Sequence, residues 1–87
     1  MMTLNLGNLA TFRLVIQRWS FSAASDVLGL SQPAVSLQVR QLEQFLQTRL
    51  LERTGRGIKA TAAGIALLAH SEQIELAVSA AVQSVSE

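Results

Sequence analysis

The sequence predicts a mainly α-helical domain of three short helices, a small β-hairpin and one long C-terminal helix, and three observations carry that prediction. The stretch Ser31–Leu46 has the period of an amphipathic helix. With Val35 at zero on a wheel of about 100° per residue, Val39, Leu42 and Leu46 fall within about 40° of it. The turn Thr54-Gly55-Arg56-Gly57 separates two short apolar-containing runs, as in a hairpin. After Gly64 nothing breaks a helix almost to the end of the chain.

Taken in order, Asn5 or Thr3 caps a first helix running to about Trp19, with Leu9, Phe12, Ile16 and Trp19 recurring at three- and four-residue spacing as a core stripe. Ser20 caps a second helix from Phe21 to Leu28, which turns Phe21, Ala24 and Leu28 inward and ends at Gly29. Only Gly29-Leu30-Ser31 connects it to the next helix, a link short enough to force a sharp angle, the geometry of a helix-turn-helix. Ser31 is a good N-cap for that third helix, and Pro33 sits in the first turn, where a missing N–H costs nothing. The arc facing away from Val35 collects Pro33, Ser36, Leu37, Arg40, Gln41 and Gln44, a surface of hydrogen-bonding groups with a single positive charge.

The hairpin uses Leu50-Leu51-Glu52-Arg53 and Ile58-Lys59-Ala60, and its turn puts Arg53, Arg56 and Lys59 in or beside one projecting loop. By itself such a loop is an ordinary solvated turn; beside a recognition-type helix it reads as a wing. Thr61 caps the last helix, where Leu67, Ser71, Ile74, Val78, Ala81 and Val85 alternate in steps of four and three. That heptad seam suits pairing with a second copy of the chain, the alternative being docking on its own domain. His70, the single histidine, has no clustered carboxylate or thiol beside it and is read as solvent-facing.

At 87 residues the chain makes one small domain. It has no cysteine, which excludes disulfides and a zinc-finger site and is compatible with a reducing compartment. No uninterrupted apolar run approaches the roughly 18 residues that cross a bilayer, so a soluble cytoplasmic protein without a membrane partner is expected. No nucleophile–base pair, carboxylate pair, phosphate-binding glycine loop or metal cluster suggests an enzyme or a cofactor. Residues 1–59 carry all seven Lys and Arg side chains against three acidic ones, a net +4, whereas residues 60–87 hold three glutamates and no Lys or Arg, a net −3 with His70 neutral. A polyanion-binding part joined to a part with another task explains this asymmetry; ordinary surface scatter explains it equally well.

Five pieces in order resemble the N-terminal domain of the LysR-type transcription regulators. They are Ser20-Phe21, Ser31-Gln32-Pro33-Ala34-Val35-Ser36, Gln38-Val39-Arg40-Gln41-Leu42-Glu43, Arg49-Leu50-Leu51-Glu52-Arg53-Thr54 and Thr61-Ala62-Ala63-Gly64. The resemblance implies a winged helix-turn-helix over residues 1–60 and a linker helix mediating dimerisation over 61–87. It implies a homodimer bound to double-stranded DNA at an inverted repeat, with Ser31, Gln32, Pro33, Ser36, Leu37, Arg40 and Gln41 at the major groove and Arg53, Thr54, Arg56 and Lys59 on the wing. It also implies that a small-molecule effector acts only through a C-terminal domain outside this sequence. Where similar proteins often have Arg, this chain has Leu37, which cannot donate to guanine and suits a thymine methyl. Trp19 and Gln47 stand where glycine is usual, and Ser25 where alanine is common. A helical assembly module that does not touch DNA is the alternative of a different class.

Overall fold

The computed structural model describes residues 3–86. Helices α1 (Leu6–Arg18), α2 (Phe21–Leu28) and α3 (Gln32–Leu46) are followed by strands β1 (Leu51–Thr54) and β2 (Gly57–Ala60) and by helix α4 (Ala62–Val85). Each helix starts where a side chain accepts a backbone N–H that has no partner in the first turn. Asn5 accepts from Asn8, Ser20 from Ala23, Ser31 from Ala34 and Thr61 from Gly64, at 3.0 to 3.2 Å. Asn5, not Thr3, is thus the first cap. The strands pair antiparallel with Leu51 opposite Ala60 and Thr54 opposite Gly57. Since Thr54 and Gly57 pair, the loop is the two residues Gly55-Arg56 rather than four.

One core fills the angle between the three short helices and the wing root. Leu9, Phe12, Val15 and Ile16 of α1 meet Ala24 of α2, Val35, Val39 and Leu42 of α3, and Leu50 and Leu51. Two side-chain hydrogen bonds set the sliding register of α1 on α3: Thr11 Oγ1 donates to Gln38 Oε1 at 2.5 Å, and Asn8 Nδ2 to Gln41 Oε1 at 3.3 Å. Asn8 and Thr11 are buried, so these bonds also satisfy polar groups removed from water.

Three apolar expectations fail at helix ends. Trp19 is 55% exposed and belongs to no core, because it is the C-cap of α1 in the left-handed region (φ 51°), which swings its side chain off the stripe. Leu28 and Leu46 occupy the last turns of α2 and α3 and reach the rim of the core instead of its interior. Gln47 caps α3 in the same left-handed conformation (φ 53°), so both positions where glycine is the usual residue adopt a backbone that glycine tolerates most easily.

The long helix divides into two halves. Ala63, Leu67, Leu68 and Ile74 pack against the core, Ser71 is 2% exposed, and Glu75 forms an ion pair with Arg13 of α1. Beyond Val78, exposed along with the rest of the tail, the helix projects and gives the chain its 49 × 27 × 24 Å shape. The first half of the heptad seam, Leu67, Ser71 and Ile74, therefore faces its own domain, the alternative that the spacing leaves open beside a partner helix. In length and composition α4 meets the standard of a membrane span, with mean hydropathy 1.2. Glu72 and Glu75 lie at its middle, where each would cost about 2.5–3.5 kcal/mol in a bilayer, and insertion would strip the helix from α1.

Candidate nucleic-acid interface

The outward face of α3 carries Pro33, Leu37 and Arg40 at the positions the wheel assigns to it, and Gln32, which the family resemblance adds, lies in the first turn; all four are exposed. Ser31 is also exposed, but its hydroxyl is engaged in capping. Gln41, also exposed, has a further partner within the fold. Its side-chain oxygen accepts from Asn8, so it braces α3 against α1. Ser36 lies on the shoulder between the buried and exposed faces, half-buried and turned toward the wing.

The wing is joined to α3 through Glu43, which sequence reasoning passed over. Its carboxylate Oε2 accepts from the backbone N–H of Leu50 at 2.7 Å and of Leu51 at 3.3 Å, and pairs with Arg49 Nε at 3.5 Å. The side chains of Leu50 and Leu51 are buried in the core, so their backbone N–H groups are presented to Glu43 without a solvent alternative. On the other side of this root, Thr61 donates its hydroxyl to the Arg49 carbonyl at 2.6 Å and its backbone N–H to the Leu50 carbonyl at 3.0 Å. Recognition helix, wing root and the start of α4 are thereby one rigid unit. The only sequence signal was a lone carboxylate flanking the apolar stripe, seven residues before Leu50.

At the wing tip, the Thr54 hydroxyl accepts from the Arg56 N–H at 3.2 Å and donates to the Gly57 carbonyl at 3.4 Å, which closes the loop on itself. Arg56 is left exposed in the loop, and Lys59 stands opposite Glu52 in the strand register. Gly57 has φ 131°, a conformation that side-chain-bearing residues rarely adopt. Arg53 is not at the tip. Its guanidinium lies 4.5 Å from the centre of the Phe21 ring and reaches the Ser36 hydroxyl at 3.4 Å. Phe21, Ser36, Val39, Arg40, Glu43, Arg49, Leu51 and Arg53 together line a small cleft between α2, α3 and β1, where three guanidinium groups face one carboxylate.

A short recognition-type helix with an exposed polar arc, a basic two-stranded wing fixed to its end, and a trailing long helix define a winged helix-turn-helix protein. Residues 6–65 match the family described as bacterial regulatory helix-turn-helix protein, lysR family, and the chain belongs to that family. Among curated relatives, an uncharacterised HTH-type transcriptional regulator in the ibpB-leuC intergenic region of Azotobacter vinelandii is 45% identical over 71 residues, 82% of this chain and 49% of the relative. The HTH-type transcriptional regulator PcaQ of Agrobacterium fabrum is 41% identical over 80 residues, covering 92% of this chain and 26% of PcaQ. The chain thus spans half or less of the length of these relatives. Among solved structures, BenM_DBD in complex with catB site 1 DNA superposes with a TM-score of 0.89 at 32% identity, covering 94% of this chain and 92% of that one. Full-length CbnR complexed with its target DNA gives a TM-score of 0.82 at 38% identity, over 92% of this chain and 28% of CbnR.

Proposed function

We propose that this domain binds double-stranded DNA sequence-specifically as the reading head of a bacterial transcription regulator. The observation that carries the reading is the outward arc of α3, with Gln32, Pro33, Leu37 and Arg40 exposed on a helix braced at both ends and flanked by the Arg56 wing. In this reading α3 enters the major groove. Gln32 and Arg40 offer amide and guanidinium donors to base edges or phosphates, and Arg56 and Lys59 of the wing meet an adjacent minor groove. The DNA complexes of BenM_DBD and CbnR support it by the likeness of their folds. Such a regulator works in the cytoplasm, where bacterial DNA is.

Two copies presenting their α3 helices to the half-sites of an inverted repeat complete the proposal. Residues 62–85 serve as the linker that joins them, and the exposed members of the seam, Val78, Ala81 and Val85, are the ones free to meet a partner. Leu67, Ser71 and Ile74 set the angle of that helix on its own domain. A small-molecule effector, in this reading, acts through parts of the protein outside residues 1–87.

The test is binding-site selection from a random duplex pool, followed by affinity measured across a salt series. Each phosphate contact by Arg40, Arg56 or Lys59 should add about 0.9 to the negative slope of log affinity on log salt. A flat salt dependence would overturn the mechanism. Arg40→Ala is expected to weaken the selected duplex by about 1–3 kcal/mol if the guanidinium bonds a base. Leu37→Arg is expected to change the preferred base at one step of the half-site, and an unchanged selected sequence would remove Leu37 from the base contacts.

A further inference from the structure

Arg53 lies in the wing strand, yet its guanidinium folds back over Phe21 and donates to the hydroxyl of Ser36 on α3. A serine hydroxyl has one proton to give and two lone pairs to receive with. Helical serines commonly spend that proton on a carbonyl one turn back. Two serines within helices do so, Ser25 to the Ser22 carbonyl at 2.8 Å and Ser71 to that of Leu68 at 2.7 Å, while the hydroxyls of Ser22, Ser79 and Ser84 enter no hydrogen bond among the described residues. Ser36 differs. Among the described residues its hydroxyl enters one hydrogen bond, in which it accepts from Arg53. A guanidinium on one lone pair leaves the hydroxyl proton without a partner among the described residues, at a cleft that Arg40 also lines.

We propose that Arg53 is a positioning residue that fixes Ser36 as a hydrogen-bond donor to an acceptor atom of DNA. The inference rests on the DNA-binding reading above and gives Arg53 a role other than a wing-tip contact. The Phe21 ring supplies a platform for the planar guanidinium, so the hydrogen bond is directed by stacking and not by its own strength. The acceptor is either a base-edge atom, such as guanine O6 or N7 or thymine O4, or a phosphate oxygen. With one lone pair held by Arg53, Ser36 keeps one proton and one lone pair, and the proton is the group it offers to the acceptor.

The experiment is a double-mutant cycle with Arg53→Met and Ser36→Ala in this chain, read by affinity for the selected duplex and by repeated site selection. Arg53→Met keeps an apolar stem over Phe21 and removes the donors, and thermal melts of the variants verify folding. Ser36→Ala is expected to lose affinity by about five- to ten-fold, the size of one hydrogen bond. Arg53→Met should cost about five-fold less when made on top of Ser36→Ala than when made beside the native serine. Both single variants relaxing the preference at one base step supports a base acceptor. Both losing affinity uniformly over sequences, still coupled, supports a phosphate acceptor. Independent, multiplying losses overturn the positioning role while leaving DNA binding intact. A wild-type domain that retains no duplex at low salt overturns the DNA reading, and the inference with it.

Discussion

Replacing Glu43 by alanine is expected to lower the stability of the domain by about 2–4 kcal/mol, read by urea denaturation. The carboxylate is the acceptor for two backbone N–H groups, those of Leu50 and Leu51, and neither can turn to water without dragging a buried leucine out of the core. Each such donor left without a partner costs about 1–3 kcal/mol, and the larger share falls on Leu50, whose bond is the shorter. The contribution of Arg49 is minor, since its side chain is 73% exposed and a 3.5 Å pair in water adds little. Glu43→Gln separates these terms, because an amide oxygen still accepts from the Leu50 N–H. It should recover more than half of the loss. If alanine and glutamine variants melted alike, the charge and not the bridging geometry would be the source of stability. DNA affinity should fall further than stability alone accounts for in Glu43→Ala, as the wing is then free to swing relative to α3.

Most of the architecture was legible because its signals are local. Four caps, a three-residue link and a glycine turn are short-range chemistry, and the helix starts fell where Ser20, Ser31 and Thr61 put them. What the sequence could not reveal depended on where another element lies. Trp19 has the spacing of a core residue, but the left-handed cap that ends α1 removes it from the stripe. Ser71 has the spacing of a dimer seam, but the helix meets α1 there, and a small side chain suits close approach. The exposure of Pro33, Leu37, Arg40, Gln41 and Gln44 was readable from period alone, but the bond from Asn8 to Gln41, 33 residues distant, was not. Glu43 and Arg53 were invisible in their bridging roles for the same reason: a side chain that ties two elements has no periodic signature in either.

Gly64→Ala carries the same point to a quantity, because its sign separates local preference from tertiary fit. Gly64 is inside the first turns of α4, and in an isolated helix the change to alanine would stabilise by about 1 kcal/mol. Here an added Cβ would overlap the Leu50 carbonyl oxygen and stand 3.2 Å from its carbonyl carbon. Those atoms are backbone, with no rotamer to escape into. Leu50 is held from three sides, by Glu43 on its N–H, by Thr61 on its carbonyl and by the core around its side chain. Relief of the overlap must push α4 away from the wing root or break the Thr61 N–H bond to the Leu50 carbonyl. Overpacking of this kind costs about 3 kcal/mol or more, so the net expectation is destabilisation by about 2–3 kcal/mol. In a domain of this size that lowers the melting temperature by about 10 °C or more, measurable by circular dichroism. A variant melting at or above the wild type would mean that α4 does not approach the wing root closely. The coupling of recognition helix, wing and linker through Leu50 would then fail with it.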